Sequence, residues 1–79
     1  MNKYLLFAYP EYYPAGGMDD CILVAESLDE LNLYANEYIK ENGDYIDFLE
    51  YYDLQNNKRY MAKVYFLRQK IIIWEQQEN

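Results

Sequence analysis

The side chains able to do chemistry in this chain of 79 residues are carboxylates, tyrosines, lysines, arginines and one thiol, Cys21. The sequence has no histidine and no threonine, and Ser27 is its only serine. Histidine acid–base chemistry, serine triads and histidine metal sites are therefore excluded. A single cysteine also makes neither a thiolate zinc site nor an internal disulfide. We expect a protein that is not an enzyme and that uses no cofactor and no metal.

The densest group of turn formers and aromatic residues lies between two apolar runs, at residues 12–20. Pro14 fixes one backbone angle and Gly16-Gly17 permit positive ones, so the chain can bend sharply and bring its amides close to another molecule. We interpret this segment as a partner-binding loop, the alternative being a structural connection whose tyrosines lie on the sheet. The residues assigned to the loop are Tyr12, Tyr13, Pro14, Gly16, Gly17, Met18, Asp19 and Asp20.

The two aspartates that end this loop restrict its ligands. Glycines between strands can cradle a phosphate, but Asp19 and Asp20 repel anions. Their carboxylates suit a divalent cation, yet their spacing is unlike that of the twelve-residue calcium loop. We favour an acidic turn that is solvated or hydrogen-bonds the loop's own amides.

The formal charge of −7 is unevenly distributed. Residues 19–53 carry eleven acids against Lys40 alone, whereas residues 54–79 carry five bases against Glu75 and Glu78. Direct nucleic-acid binding needs clustered cations and is disfavoured, while a basic protein surface would be attracted. Two interpretations of the acids stay open: imitation of a phosphate array, or an ordinary solvated helix face. Glu30 and Glu37, on the predicted outer side of the helix, join the partner-binding residues.

The first half of the chain has clear secondary-structure signals. Residues 3–9 are an apolar run that stops at Pro10, which predicts a buried first strand, and residues 21–25 predict a second strand antiparallel to it. Ser27-Leu28-Asp29-Glu30 is a capping box, in which Glu30 reaches back to the serine amide. It opens a helix over about residues 28–41, with Gly43 as its stop.

The second half is less clear, because residues 44–54 fit both a helical stripe and an aromatic strand. The turn-forming Asn56-Asn57 indicates a hairpin, so we predict a strand at about residues 46–54. Further strands are expected at residues 59–66 and 71–75.

These elements predict a single domain, residues 1–79, of the α+β class. We expect a small antiparallel sheet of four to five strands with one helix packed on one face, in the order β-β-α-β-β-β. One helix covers one face only, so the second face calls for self-association, as a homodimer or higher oligomer, or for a partner.

Tyr12-Tyr13-Pro14, Gly16-Gly17 and Asp20, followed by the box at residues 27–30, resemble a motif in small phage and prophage proteins of low-GC Gram-positive bacteria. The hairpin at residues 53–59 is similar as well. This resemblance implies a phage accessory protein, the class that includes inhibitors of bacterial immune systems.

We therefore expect a phage protein that binds and inhibits a host protein with a basic surface, a component of anti-phage defence. The alternative is a sponge that sequesters a small cyclic nucleotide at an oligomer interface, using Arg59, Lys63 and Arg68. A structural self-assembling module is the second alternative. The absence of a long apolar run or complete signal peptide predicts a cytoplasmic protein, full length from Met1, without membrane contact.

Overall fold

Five strands and one helix make up the computed structural model, which describes residues 3–11, 20–63 and 68–78. In chain order they are β1 (Tyr4–Tyr9), β2 (Cys21–Ala25), α1 (Leu28–Asn42), β3 (Phe48–Asp53), β4 (Lys58–Ala62) and β5 (Trp74–Gln77). The predicted class, α+β with the order β-β-α-β-β-β, is confirmed.

The strands form one antiparallel sheet in the order β2-β1-β3-β4-β5. The first strand is therefore interior, with β2 and β3 on its two sides. α1 connects these two flanking strands, which run parallel to each other across β1. The register of β1 against β2 shifts between Leu6 and Phe7, whereas its register against β3 is regular from Tyr4 to Tyr9.

The helix begins where the capping box predicts. The Ser27 hydroxyl accepts a hydrogen bond from the Glu30 amide at 3.1 Å, but the Glu30 carboxylate accepts from the amide of Glu26, one residue before the predicted partner. At the other end, Gly43 donates its amide to the Ile39 carbonyl at 2.9 Å. Gly43 has a φ of −60°, so this cap does not use a left-handed backbone.

The helix packs on one face of the sheet through Leu31, Ala35 and Ile39, which are fully buried. Leu28, expected on the same stripe, is 39% exposed. The buried side chains on the sheet's helix-facing side come from β1 to β4: Leu6, Ala8, Ala25, Leu49, Tyr51 and Ala62. Trp74 of β5 packs edge-on against Tyr51 and donates its indole N–H to the Asn32 side chain at 2.9 Å. This layer forms the hydrophobic core.

The predicted bounds of the last three strands need correction, since β4 ends at Ala62, before Lys63, and the last strand ends at Gln77 rather than residue 75. The third strand starts at Phe48 rather than residue 46, because residues 43–45 form a turn before it. The last strand starts at Trp74 rather than residue 71, because its pairing with β4 runs from Ala62↔Trp74 to Arg59↔Gln77. Residues 64–66, predicted to extend β4, lie outside the described residues.

The predicted hairpin between β3 and β4 is confirmed. The Asp53 carboxylate accepts hydrogen bonds from the amides of Gln55 and Asn56 and from the Asn56 side chain. Asn57 takes the left-handed backbone that asparagine tolerates, with a φ of 55°.

We expect Ile39→Ala to lower the free energy of unfolding by about 2–5 kcal/mol, because it leaves a cavity between the helix and the sheet. The matched control is Leu33→Ala on the same helix, where the side chain is 69% exposed, and its effect should stay within ~0.5 kcal/mol. Urea unfolding of both variants measures the difference. Equal losses would contradict the assigned helix orientation.

Candidate functional site

The sheet face opposite the helix is the first candidate surface, and we call it the open face. Side chains alternate along a strand, so the residues between the core positions point to this side. Across β1, β3 and β4 the open face consists of Leu5, Phe7, Tyr9, Phe48, Glu50, Tyr52, Arg59 and Met61. All of these except Glu50 are half-buried, although α1 lies on the other side of the sheet.

Aromatic pairs bind β1 to β3 on the open face. Tyr9 stacks on Phe48 with ring centroids 5.0 Å apart, and Phe7 meets Tyr52 edge-on at 5.5 Å. Cross-strand aromatic pairs of this kind stabilise a sheet beyond their buried area.

Glu50 lies in the middle of the open face and is only 6% exposed. Its strand neighbours across the sheet are Phe7 on β1 and Met61 on β4. One carboxylate oxygen, Oε1, accepts a hydrogen bond from the Tyr9 hydroxyl at 2.9 Å. A buried carboxylate surrounded by apolar side chains is costly unless it is paired and hydrogen-bonded.

Arg59 is the charge partner of Glu50, but the pair is loose. Its Nη1 lies 3.8 Å from Oε2 of Glu50, beyond hydrogen-bond distance. Both Oε2 of Glu50 and Nε of Arg59 are buried and have no hydrogen-bond partner. The chain therefore leaves one acceptor and one donor unsatisfied at the centre of this face.

The environment of Glu50 changes the pKa of the Tyr9 hydroxyl. Burial and the hydrogen bond to the Glu50 carboxylate raise the pKa of Tyr9 to about 12. Both effects favour the neutral phenol, which donates to the carboxylate. Tyr9 therefore remains a donor to Glu50 throughout the neutral range.

A shallow cavity of about 380 Å³ opens beside this cluster. Its apolar wall is Phe48, Met61 and Ala62, and its polar lining includes an ion pair between Lys63 and Glu75 with a nitrogen-to-oxygen distance of 3.1 Å. Both members of the pair are about half exposed.

Asp47 closes one side of the cavity and is held by Arg68. The Arg68 guanidinium donates to the Asp47 carboxylate at 2.7 Å and to the backbone carbonyls of Gly43 and Ile46 at 2.6 Å. The Glu11 amide donates to the other Asp47 oxygen at 2.7 Å. The Glu11 hydrogen bond and the Arg68 charge hold the pKa of Asp47 below its usual value.

The solvent side of α1 is the second candidate surface, and we call it the helix outer face. Leu33 and Tyr34 are 69% and 40% exposed on it. The rings of Tyr34 and Tyr38 stack at 6.3 Å, and burial together with the neighbouring Tyr34 raises the pKa of Tyr38. A shallow cavity of about 200 Å³ is lined there by Tyr34, Glu37, Tyr38, Glu41 and Asn42.

The structure places the predicted acidic partner-binding residues in different settings. The Glu30 carboxylate accepts a hydrogen bond from the Glu26 amide at the start of the helix. The Glu37 carboxylate lies 3.1 Å from the Lys40 ammonium, and its side chain remains about two-thirds exposed. Asp20 is half-buried directly before β2. The other seven residues of the predicted loop, 12–14 and 16–19, lie outside the described residues.

The three cations predicted for nucleotide binding each lie beside acceptors of the chain itself. Arg59 is next to Glu50, Lys63 is paired with Glu75, and Arg68 is hydrogen-bonded to the α1–β3 connection. The two candidate surfaces contain four further residues that were not among the predicted site residues: Tyr9 and Glu50 on the open face, and Tyr34 and Tyr38 on the helix outer face. Alternation along residues 48–52 is the signal that would have placed Glu50 on a strand face among aromatic residues.

Fold and surfaces together define a small α+β domain with an aromatic open face on one side and an acidic helix on the other. The chain belongs to the family described as Bacteriophage T4 protein Y07C, whose model matches residues 4–75. It is also similar to an uncharacterized 16.0 kDa protein of the segB-ipI intergenic region of Enterobacteria phage T4, with 47% identity over 46 residues. That match covers 58% of this chain, and the chain spans about a third, 31%, of the relative's length.

Membership in this family makes the chain a phage protein and corrects the resemblance drawn from the sequence. The assignment to phages of low-GC Gram-positive bacteria was wrong, because both matches point to bacteriophage T4. The turn residues that carried the resemblance are common in loops generally, so they had little power to separate phage groups. No solved structure matches the chain. Within the described residues, the helix is too short and too polar to span a membrane.

We expect Tyr9→Phe to lower the free energy of unfolding by about 1–3 kcal/mol, because it removes the hydroxyl that donates to a buried carboxylate. Tyr45→Phe is the matched control, since Tyr45 is 76% exposed. Urea unfolding at neutral pH compares the two. A Tyr9→Phe variant as stable as the control would mean that Glu50 does not depend on this bond.

Asp47 should make stability depend on acid pH. The pKa of Asp47 is lowered in the folded state. Its contribution to the free energy of unfolding is therefore fully present above the usual value of 3.8 and is lost as pH falls through the folded pKa. Asp47→Asn should therefore flatten the loss of stability below about pH 4. Arg68→Gln should shift the folded pKa of Asp47 upward in an NMR titration, and an unchanged value would contradict the assigned role of Arg68.

Proposed function

We propose that this phage protein is a non-enzymatic binding protein that occupies and blocks a host protein with a basic surface in the host cytoplasm. The helix outer face supports the proposal, because Leu33 is exposed there and the partly exposed Tyr34 lines a cavity with the carboxylates of Glu37 and Glu41. Exposed apolar side chains rimmed by polar residues are typical of interaction surfaces.

The chemistry of the small cavity on this face suits a lysine or arginine side chain of a partner. Two stacked tyrosine rings offer π faces, and Glu37 and Glu41 offer carboxylates at the same cavity. A cation over an aromatic ring gains about 0.5–1 kcal/mol at an exposed site and about 2 kcal/mol once water is excluded. Carboxylates beside the rings add long-range attraction, which speeds association with a basic surface.

The inventory of the chain supports binding rather than catalysis. It has no histidine, and the hydroxyl of its only serine, Ser27, caps the helix. Glu50 is the most buried acid among the described residues, so its carboxylate is largely shielded from solvent.

The choice of an anti-phage defence component as the target rests on membership in a phage family. Blocking such a component requires an exposed binding surface and no catalytic group. The proposal therefore combines the phage origin with the acidic and aromatic character of the helix outer face.

Affinity capture from a host lysate tests the proposal. The wild-type chain should retain a host protein that Tyr34→Ala/Glu37→Gln loses at least tenfold, since an aromatic anchor and a carboxylate are removed together. Met61→Gln on the open face is the matched control and should capture the same protein at the wild-type yield. Retention should also weaken as salt rises, because the attraction is partly electrostatic.

Mass spectrometry of small molecules released from the purified chain runs in parallel. A bound cyclic nucleotide, together with equal capture by both variants, would overturn the proposal in favour of a nucleotide sponge. Capture that is unchanged by the helix variant would by itself remove the helix outer face from the proposed function.

A further inference from the structure

The charges on and around the open face balance, although the chain as a whole carries −7. Among the residues that the structure describes, three carboxylates on and around this face each have a cation beside them within 4 Å. The pairs are Glu50 with Arg59, Glu75 with Lys63, and Asp47 with Arg68. The excess negative charge therefore lies elsewhere, much of it on α1 and its flanks.

The equal numbers of acidic and basic side chains indicate which kind of partner fits the open face. A basic partner would gain little long-range attraction from a neutral face, and it would be drawn to the acidic helix instead. Two copies of an acidic protein repel each other unless they meet through surfaces without net charge. The open face meets that condition, and the helix outer face does not.

The composition of the open face also resembles the inside of a sheet-on-sheet interface. Its centre is aromatic and apolar, with Phe7, Phe48, Tyr52 and Met61 around the buried Glu50, while the Lys63–Glu75 pair lies at one side. Interfaces typically combine an apolar, aromatic centre with a polar rim. Charges of both signs at the rim allow a two-fold arrangement, in which each copy offers an acid to the other's base.

The unsatisfied atoms at the centre give an independent indication. Glu50 is more than nine-tenths buried, yet its Oε2 has no hydrogen-bond donor, and Nε of the neighbouring Arg59 has no acceptor. Buried polar groups without partners are rare and call for an explanation. Both atoms are covered by their own chain, so a second copy would satisfy them only by pressing Arg59 onto Glu50, 3.8 Å away.

We propose that two copies of this chain associate through their open faces, with the two sheets packed against each other and the Glu50–Arg59 pairs enclosed between them. Sheets packed face to face lie about 10 Å apart, which leaves room for one interleaved layer of side chains from each copy. Because α1 lies on the opposite side of each sheet, both helix outer faces remain exposed in this dimer. Self-association and binding of a basic partner are then compatible.

Sedimentation equilibrium over a wide concentration range tests the proposal on the full chain. The wild type should shift from monomer to dimer mass as concentration rises. Met61→Glu places a new carboxylate between Glu50 and Glu75, its strand neighbours, and should weaken association about a hundredfold or more. Leu33→Glu on the helix outer face is the matched control and should leave the dimer unchanged.

A charge swap keeps the proposal testable if Met61→Glu fails to fold. Lys63→Glu changes a half-exposed side chain and makes the face negative, so it should give a monomer at low salt. The double variant Lys63→Glu/Glu75→Lys restores the balance and should recover the dimer. Circular dichroism and amide NMR spectra establish that each variant is folded.

The proposal would be overturned by a wild type that stays monomeric at every concentration. It would also be overturned if Leu33→Glu abolished association while Met61→Glu or Lys63→Glu did not, because the contact would then use the helix side. Capture of a host protein is read out separately through Tyr34 and Glu37, so the two proposals can fail independently.

Discussion

In the part of the chain that the structure describes, one helix packs on a five-stranded sheet, and the architecture of this protein depends on that constraint. α1 connects β2 to β3 across the interior strand β1, so it can lie against one face of the sheet only. Its buried residues Leu31, Ala35 and Ile39 complete the core on that face. On the opposite face, aromatic pairs and a central ion pair connect the strands.

The two sides of the molecule consequently differ in their physical character. On the open face, stacked and edge-on rings surround a buried carboxylate, and acids and bases balance. On the helix outer face, carboxylates and exposed tyrosines lie together in water. Tyr9 belongs to the first environment, where burial and Glu50 raise its pKa to about 12, whereas Tyr34 belongs to the second and is 40% exposed. We propose self-association for the neutral aromatic face and binding of a basic partner for the acidic aromatic face.

Local signals in the sequence predicted much of this fold. The capping box at Ser27 placed the start of the helix, and the asparagines before β4 placed the hairpin, because both depend on residues close together in the chain. The start of β5 was misplaced, since it depends on where β4 pairs. Three isoleucines at residues 71–73 looked like a strand, yet Ile71 and Ile73 are more than two-fifths exposed.

Glu50 was counted among many surface acids, because its burial follows from strand register and not from its own neighbours in sequence. The three basic residues of the alternative nucleotide site, Arg59, Lys63 and Arg68, each lie beside an acceptor from another segment, and local sequence does not show such contacts.

We propose different roles for the two surfaces, self-association for the open face and partner binding for the helix outer face. The most direct test is the effect of a soluble paramagnetic agent on the NMR signals of the Met61 and Leu33 methyl groups at low and high protein concentration. If the proposed roles are right, Met61 becomes protected from the agent as concentration rises while Leu33 remains accessible. Equal accessibility of Met61 at all concentrations, or protection of Leu33 instead, would contradict them.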